Sequence, residues 1–101
     1  MNPMQSIHGN SLARILVVDD MTTNRALIRA VLSAQEFDVL EADSGAAALE
    51  CISALRPDVV LLDVMMPGID GIEVCRRLRE LEEFRLLPVI MLTSLGSPDD
   101  V

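Results

Sequence analysis

Four short apolar runs, separated by segments of helical periodicity, constrain the fold of this 101-residue chain more than any other feature. The first run, residues 14–18, and the third, residues 58–63, are continuous rather than alternating; the first is followed directly by Asp19, and the third ends in Asp63. A continuous run of this length is typical of a strand buried on both faces, which occurs mainly in parallel sheets. Residues 38–42 predict a second, weaker strand, and residues 88–92 predict a fourth.

The segments between the runs predict amphipathic helices. Residues 23–34 repeat apolar side chains at helical spacing, and Thr22 or Thr23 is available as the N-cap. Ser44 precedes an alanine-rich helix that Pro57 ends, and Asp70 precedes a third helix. The apolar residues expected on the face of that third helix are Ile72, Cys75, Leu78 and Leu81. Alternating strands and helices predict an α/β fold, an open parallel sheet with helices on both faces.

Composition narrows the class of protein. Half of the residues are hydrophobic, which is enough to bury a core, and the net charge is −8. All eight basic residues are arginines, and the chain has no lysine. Without a basic cluster we expect no direct nucleic-acid binding, and without a long apolar run we expect no membrane span and a cytoplasmic location. Residues 1–13 read as a flexible lead, and residues 14–101 read as the domain.

Three carboxylates are the candidate functional residues. In open α/β sheets ligands bind beyond the carboxyl ends of the strands, where Asp19, Asp20, Asp63 and Thr93 fall. Carboxylates gathered there repel each other unless they hold protons or a cation, and hard oxygen ligands favour Mg²⁺ or the similar Mn²⁺. A carboxylate beside such an ion can attack phosphorus and form an acyl phosphate. Taken alone, each aspartate is equally typical of a helix cap.

The motifs together resemble a known family. The segment ILVVDD at residues 15–20, Asn24-Arg25, LLDVMMPGIDG at residues 61–71 and PVIMLTS at residues 88–94 are similar to the receiver domain of two-component response regulators. The resemblance covers residues 13 to about 98. It implies a flavodoxin-like sheet with strand order 2-1-3-4-5, of which this chain holds four strands and three helices, without the fifth strand and the last helices.

The resemblance also implies roles for individual residues. Asp63 would accept a phosphoryl group from a phosphohistidine on a sensor histidine kinase or phosphotransfer protein. Asp20 and Asp63 would bind Mg²⁺ directly, Asp19 through a water, and Met65 through its backbone carbonyl. Thr93 would be the hydroxyl that turns toward the phosphoryl group. Such a module is a phosphorylation-dependent signalling switch of a phosphorelay rather than an enzyme.

The chain departs from the family pattern at its carboxyl end. Receivers normally continue beyond the fourth strand and carry a lysine that contacts the phosphoryl group, and no lysine is present here. We therefore expect Mg²⁺ binding to be retained and phosphoryl transfer to Asp63 to be slowed or its signal to be uncoupled. We also expect the fourth strand to form an exposed edge, so that copies of the chain self-associate by edge pairing or by exchange of elements, or the chain is a loosely ordered monomer.

Two other functions remain open at the level of sequence. One is a degenerate interaction or dimerisation module that keeps the receiver fold without phosphotransfer, which the missing lysine favours and the intact carboxylates oppose. The other is a phosphatase or phosphotransferase that uses an aspartyl phosphate. That class of enzyme needs a second aspartate two residues after its nucleophile, whereas Asp19 and Asp20 are adjacent and residue 21 is methionine.

Overall fold

The computed structural model describes residues 12–92 of the chain. Thr93 and most of the predicted flexible lead, residues 1–11, lie outside the described residues. The elements in chain order are β1 (Arg14–Val18), α1 (Thr22–Ala34), β2 (Asp38–Ala42), α2 (Gly45–Leu55), β3 (Val59–Asp63), α3 (Gly71–Arg79), a 3-10 turn (Glu82–Phe84) and β4 (Val89–Leu92). Within this part of the chain, no helix has both the length and the apolar character that crossing a bilayer requires.

The four predicted strands form one parallel sheet in the order β2-β1-β3-β4. The prediction of an α/β fold with a parallel sheet is therefore confirmed, and the order agrees with the one that the family resemblance implies. β1 lies at the centre and pairs with β2 on one side and β3 on the other. Four of its five residues are buried, as expected for a continuous apolar strand covered on both faces.

The main core lies between one face of the sheet and helices α2 and α3. Its strand members alternate along each strand, because successive side chains point to opposite faces. The buried residues of this cluster are Leu16, Val18, Ala42, Ala48, Ile52, Val60, Leu62, Met66, Val74, Leu78 and Phe84. Ile52, Leu62 and Leu78 are among its largest fully buried side chains.

Helix α1 packs much more loosely. None of its residues is fully buried, and Leu27 and Val31, which sequence periodicity places on its apolar face, are 67% and 58% exposed. Ile28 and Leu32 are half-buried. The helical periodicity is correct, but only part of the apolar face is covered within the described residues.

The buried face of α3 differs from the predicted one. Ile72 is 61% exposed and Leu81 lies beyond the helix, whereas Gly71, Val74 and Leu78 are buried. The reason is the close approach of the helix to the end of β3. A Cβ atom added to Gly71 would lie 2.5 Å from the backbone oxygen of Asp63, so this glycine must face the strand, and residues three and seven positions later share its face.

Two of the three predicted N-caps are present in the structure. The side chains of Ser44 and Asp70 accept hydrogen bonds from the N–H groups of Ala47 and Glu73, as N-caps do. Helix α1 begins one residue earlier than expected, after Met21, which offers no side-chain cap, so the prediction of a threonine N-cap is wrong.

Candidate acidic metal site

The pairing of β1 with β3 places two of the predicted carboxylates side by side. Val18 is in register with Leu62, so the residues that follow them, Asp19 and Asp63, lie side by side at the carboxyl ends of the two strands. Both carboxylates are largely buried, with 5% and 7% of each residue exposed. Asp20 follows Asp19 and is exposed. The two strand ends thus form one acidic cluster, open to solvent on the side of Asp20.

The three aspartates are close enough to share one cation. Each offers a carboxylate oxygen, and these oxygens lie within 4.8 Å of one another. Ligands on opposite sides of a Mg²⁺ ion, with bonds of about 2.1 Å, are about 4.2 Å apart. A spread of up to 4.8 Å therefore suits a site in which not every carboxylate touches the ion. The donor set is entirely oxygen, which is the preference of Mg²⁺ and Mn²⁺.

Both strand ends close with the same local turn. The Oδ1 atom of Asp19 accepts a hydrogen bond from the N–H of Met21 at 2.9 Å, and Oδ1 of Asp63 accepts one from the N–H of Met65 at 3.1 Å. An aspartate that accepts from the backbone two residues later forms an Asx turn. In both turns a backbone N–H, and not a second side chain, holds the Oδ1 atom of the carboxylate.

The electrostatics of the cluster are unfavourable for Asp63. Burial raises the pKa of Asp63, the hydrogen bond from Met65 lowers it, and the charges of Asp19 and Asp20 raise it further. The net effect is an upward shift, because desolvation and like charges both disfavour the ionised carboxylate. A bound divalent cation would remove this penalty.

Three residues that the sequence did not single out for this site hold its loop. The Nδ2 atom of Asn24 donates to Oδ2 of Asp19 at 3.2 Å. Nη1 of Arg25 donates to the backbone oxygen of Asp19 at 2.7 Å, and Nε of Arg25 donates to Glu41 at 3.0 Å. The signals available in sequence were a polar pair in the first turn of a helix and a glutamate near the end of β2.

The structure places the remaining candidates as follows. Met65 is 68% exposed and is not a member of the buried core. Met66, its neighbour, is buried in the core. Thr93 lies outside the described residues, but Leu92, which precedes it, is in register with Asp63.

Comparisons with known proteins agree with this geometry. The model of the response regulator receiver domain family matches residues 15–101. The response regulator PleD of Caulobacter vibrioides is 46% identical over 88 residues, which are 87% of this chain and 19% of that protein. The response regulator MprA of Mycolicibacterium vanbaalenii is 48% identical over 84 residues, which are 83% of this chain and 36% of that protein. The chain therefore spans only about a fifth and about a third of the lengths of these relatives.

A solved structure gives the same result for the fold. The crystal structure of the N-terminal domain of a response regulator receiver protein from Methanoculleus marisnigri JR1 has a TM-score of 0.79 and 37% sequence identity to this chain. The match covers 87% of this chain and 72% of that one. Receiver domains are signalling modules that bind Mg²⁺ at an acidic pocket and are phosphorylated on aspartate. The chain belongs to the family of response regulator receiver domains of two-component systems.

Proposed function

We propose that this chain is a phospho-accepting receiver module in which Asp63 takes a phosphoryl group from a phosphohistidine in a Mg²⁺-dependent reaction. The single observation that carries the proposal is the cluster of Asp19, Asp20 and Asp63, with carboxylate oxygens within 4.8 Å of one another. The donor would be a sensor histidine kinase or a phosphotransfer protein. The module acts as a switch and not as a metabolic enzyme, and its domain spans residues 14–101.

The chemistry assigned to Asp63 follows from its contacts. Among the described residues, only Oδ1 of this carboxylate accepts a hydrogen bond, from Met65, which leaves Oδ2 to attack phosphorus. The new P–O bond forms an acyl phosphate as the P–N bond to the donor histidine breaks, and the electron pair stays on the imidazole nitrogen. Mg²⁺ held by Asp20, Asp63 and the Met65 carbonyl, with Asp19 acting through water, would neutralise charge on the phosphoryl oxygens.

The proposal also covers the role of Thr93 and the effect of the missing lysine on the rate of phosphoryl transfer. We assign the switch hydroxyl to Thr93, as the similarity to receiver domains implies; Leu92, the residue before it in the chain, pairs with Asp63. The 101-residue chain has no lysine to stabilise the phosphoryl group. We infer that it accepts the group more slowly than a receiver that has such a lysine, since one cationic contact to the transition state is missing.

Acetyl-phosphate labelling tests the proposal directly. The chain is incubated with acetyl phosphate, with Mg²⁺ or with EDTA, and the mass of the protein is followed over time. We expect Mg²⁺-dependent labelling that Asp63→Asn abolishes and Asp43→Asn, which removes a charge outside the acidic cluster, leaves unchanged. Mg²⁺ binding without labelling would favour an interaction module without phosphotransfer, and labelling that survives Asp63→Asn would refute the assignment of the phospho-acceptor. Labelling as fast as that of a lysine-bearing receiver would refute the inferred slowing.

We also propose that copies of the chain associate through β4. Within residues 12–92 this strand pairs only with β3, and its Ile90 and Met91 are 52% and 38% exposed. A strand edge with unpaired backbone groups and apolar side chains can pair with a second strand. The second copy supplies an identical edge, so the contact is self-complementary.

Sedimentation velocity over a range of protein concentrations tests this association. We expect a dimer whose fraction rises with concentration and falls in Ile90→Lys. The control is Leu86→Lys, since Leu86 is 90% exposed and lies outside the strand. A monomer at every concentration, or equal effects of the two substitutions, would contradict association through β4.

A further inference from the structure

Arg25 connects the acidic loop to two other parts of the fold. Its side chain lies near the start of α1 and is only 15% exposed. Nη1 donates to the backbone oxygen of Asp19 at 2.7 Å, and Nε donates to Oε1 of Glu41 in β2 at 3.0 Å. Nη2 donates to the hydroxyl of Thr22 at 3.4 Å. One guanidinium therefore joins the end of β1, the first turn of α1 and the neighbouring strand.

The contact to Asp19 bears on the position of the loop. Arg25 holds the carbonyl group of Asp19, while Asn24 and the Met21 N–H hold its two carboxylate oxygens. The Asp19 N–H donates to Ala42 in β2 at 3.2 Å. With the backbone and side chain of Asp19 fixed in this way, the direction in which the chain continues to Asp20 is also fixed.

We propose that Arg25 is a positioning residue of the acidic site, which holds the loop of Asp19 and Asp20 in the arrangement that binds a divalent cation. The proposal rests on the proposed function, because it concerns the Mg²⁺ site described there. Arg25 acts through geometry and not through its charge. A positive charge near a cation site weakens binding, and the charge of Arg25 is already paired with Glu41.

Charge and geometry therefore predict opposite results when Arg25 is replaced. Loss of its charge alone would raise the affinity for Mg²⁺, whereas loss of its contact to the Asp19 carbonyl would lower it. Residues that orient metal ligands typically contribute a factor of about 10 to 100 in metal affinity. We expect Arg25→Gln to weaken Mg²⁺ binding about tenfold.

Arg29 is a matched control. It lies one turn further along α1, where Nη1 donates to the other Glu41 oxygen at 2.9 Å and to the backbone oxygen of Val39 at 3.1 Å. Arg29→Gln therefore removes the same charge from the same helix and a contact to the same glutamate. Within the described residues, Arg29 has no hydrogen bond to the acidic loop.

The first experiment is calorimetric titration of the full chain with Mg²⁺ at constant ionic strength. The variants are Arg25→Gln, Arg25→Lys and Arg29→Gln, and circular dichroism checks that each is folded. We expect both Arg25 variants to bind more weakly, because lysine keeps the charge but cannot contact three partners at once, and Arg29→Gln to stay within about twofold of the unaltered chain. Unchanged or tighter binding in Arg25→Gln, or full recovery in Arg25→Lys, would overturn the proposal.

The second experiment needs no metal. In EDTA, amide hydrogen exchange of Met21 followed by NMR reports the hydrogen bond to Asp19 Oδ1. We expect about tenfold faster exchange in Arg25→Gln and no change in Arg29→Gln. Equal exchange in the unaltered chain and Arg25→Gln would overturn the positioning role by itself. If the unaltered chain binds no Mg²⁺, the proposed function fails, and the exchange measurement still decides whether Arg25 holds the loop.

Discussion

Replacing Asp63 with asparagine should stabilise the metal-free fold even though it removes the proposed phospho-acceptor. Asp63 is buried beside Asp19 and near Asp20, with carboxylate oxygens within 4.8 Å of one another. Two unit charges about 5 Å apart repel by about 1 kcal/mol in water and by three to four times as much in a partly buried site. Asp63 takes part in two of the three pairs, and the cluster is open to solvent, so we use the lower figure for each pair. The expected gain is about 2 kcal/mol.

Replacing the Asp63 side chain with asparagine should cost little hydrogen bonding. The amide oxygen of asparagine can accept the same hydrogen bond from the Met65 N–H. Urea unfolding in EDTA at neutral pH measures the difference, and thermal unfolding should show a rise of about 8 °C or more. Asp43→Asn is the control for a general effect of net charge and should change stability by no more than a few tenths of a kcal/mol.

Mg²⁺ should reverse the difference in stability between the two chains, and low pH should remove it. At a Mg²⁺ concentration a hundred times the dissociation constant, binding stabilises the unaltered chain by about 2.7 kcal/mol. The Asp63→Asn variant should lose most of this stabilisation, because it lacks one of the proposed ligands. Folding raises the pKa of Asp63. This group therefore contributes its full stabilisation of the metal-free chain at pH values below its ordinary pKa of 3.8. That contribution is lost as the pH rises through the raised value, and Asp63→Asn should show no such loss. A variant equal to or less stable than the unaltered chain in EDTA would refute the reasoning.

Further predictions concern packing, capping and a surface ion pair. Gly71→Ala should cost about 1 to 3 kcal/mol in urea unfolding and weaken Mg²⁺ binding, because the new methyl group meets the Asp63 backbone oxygen; unchanged stability would contradict this contact. Ser44→Ala should cost about 1 kcal/mol through loss of the N-cap of α2, and an unaffected Tm would show that the cap contributes nothing. Hydrogen bonds from Arg76 and Arg77 lower the pKa of Glu73 to about 2, so its stabilising effect should be present above pH 4.5 and be lost as the pH falls through about 2. NMR titration of the Glu73 carboxyl checks this, and an ordinary titration midpoint would disprove the pairing.

The sequence predicts the sheet well because its strands carry a strong local signal. The bounds of β1 and β2 are as predicted, since each strand begins at a charged residue and is followed directly by an aspartate. The predicted third and fourth strands each began one residue early, at Asp58 and Pro88. The exact first residue of a strand depends on tertiary contacts, and a sequence pattern carries no information about those contacts.

The faces and the starts of the helices were harder to predict. Ile72 belongs to the apolar pattern of α3, yet the close approach of Gly71 to Asp63 turns the helix so that Val74 is buried instead. Thr22 is a good capping residue, but it lies inside α1. In both cases a three-dimensional contact outweighs a local preference.

The sequence predicts the carboxylates of the candidate site, but it does not predict the hydrogen bonds that hold them in place. Asp19, Asp20 and Asp63 stand out because they follow buried strands, and their convergence needs only parallel pairing. The contacts of Asn24 and Arg25 with Asp19 depend on how α1 leaves the sheet. Asn24 and Arg25 belong to the sequence motifs, but no spacing rule fixes that angle, so their contacts with Asp19 become visible only in three dimensions.

The register of β1 against β3 has a consequence for how the gene for such a module can change. Asp19 and Asp63 meet because Val18 pairs with Leu62, and the two aspartates are separated by a helix, a strand and a second helix. Codons added to or removed from the connecting loops leave that pairing intact, whereas a single codon deleted inside β1 turns every later side chain of the strand to the opposite face. Such a deletion would remove Leu16 or Val18 from the core and Asp19 from the cluster in one event. Insertions and deletions should therefore be tolerated between the strands of this module and excluded within them.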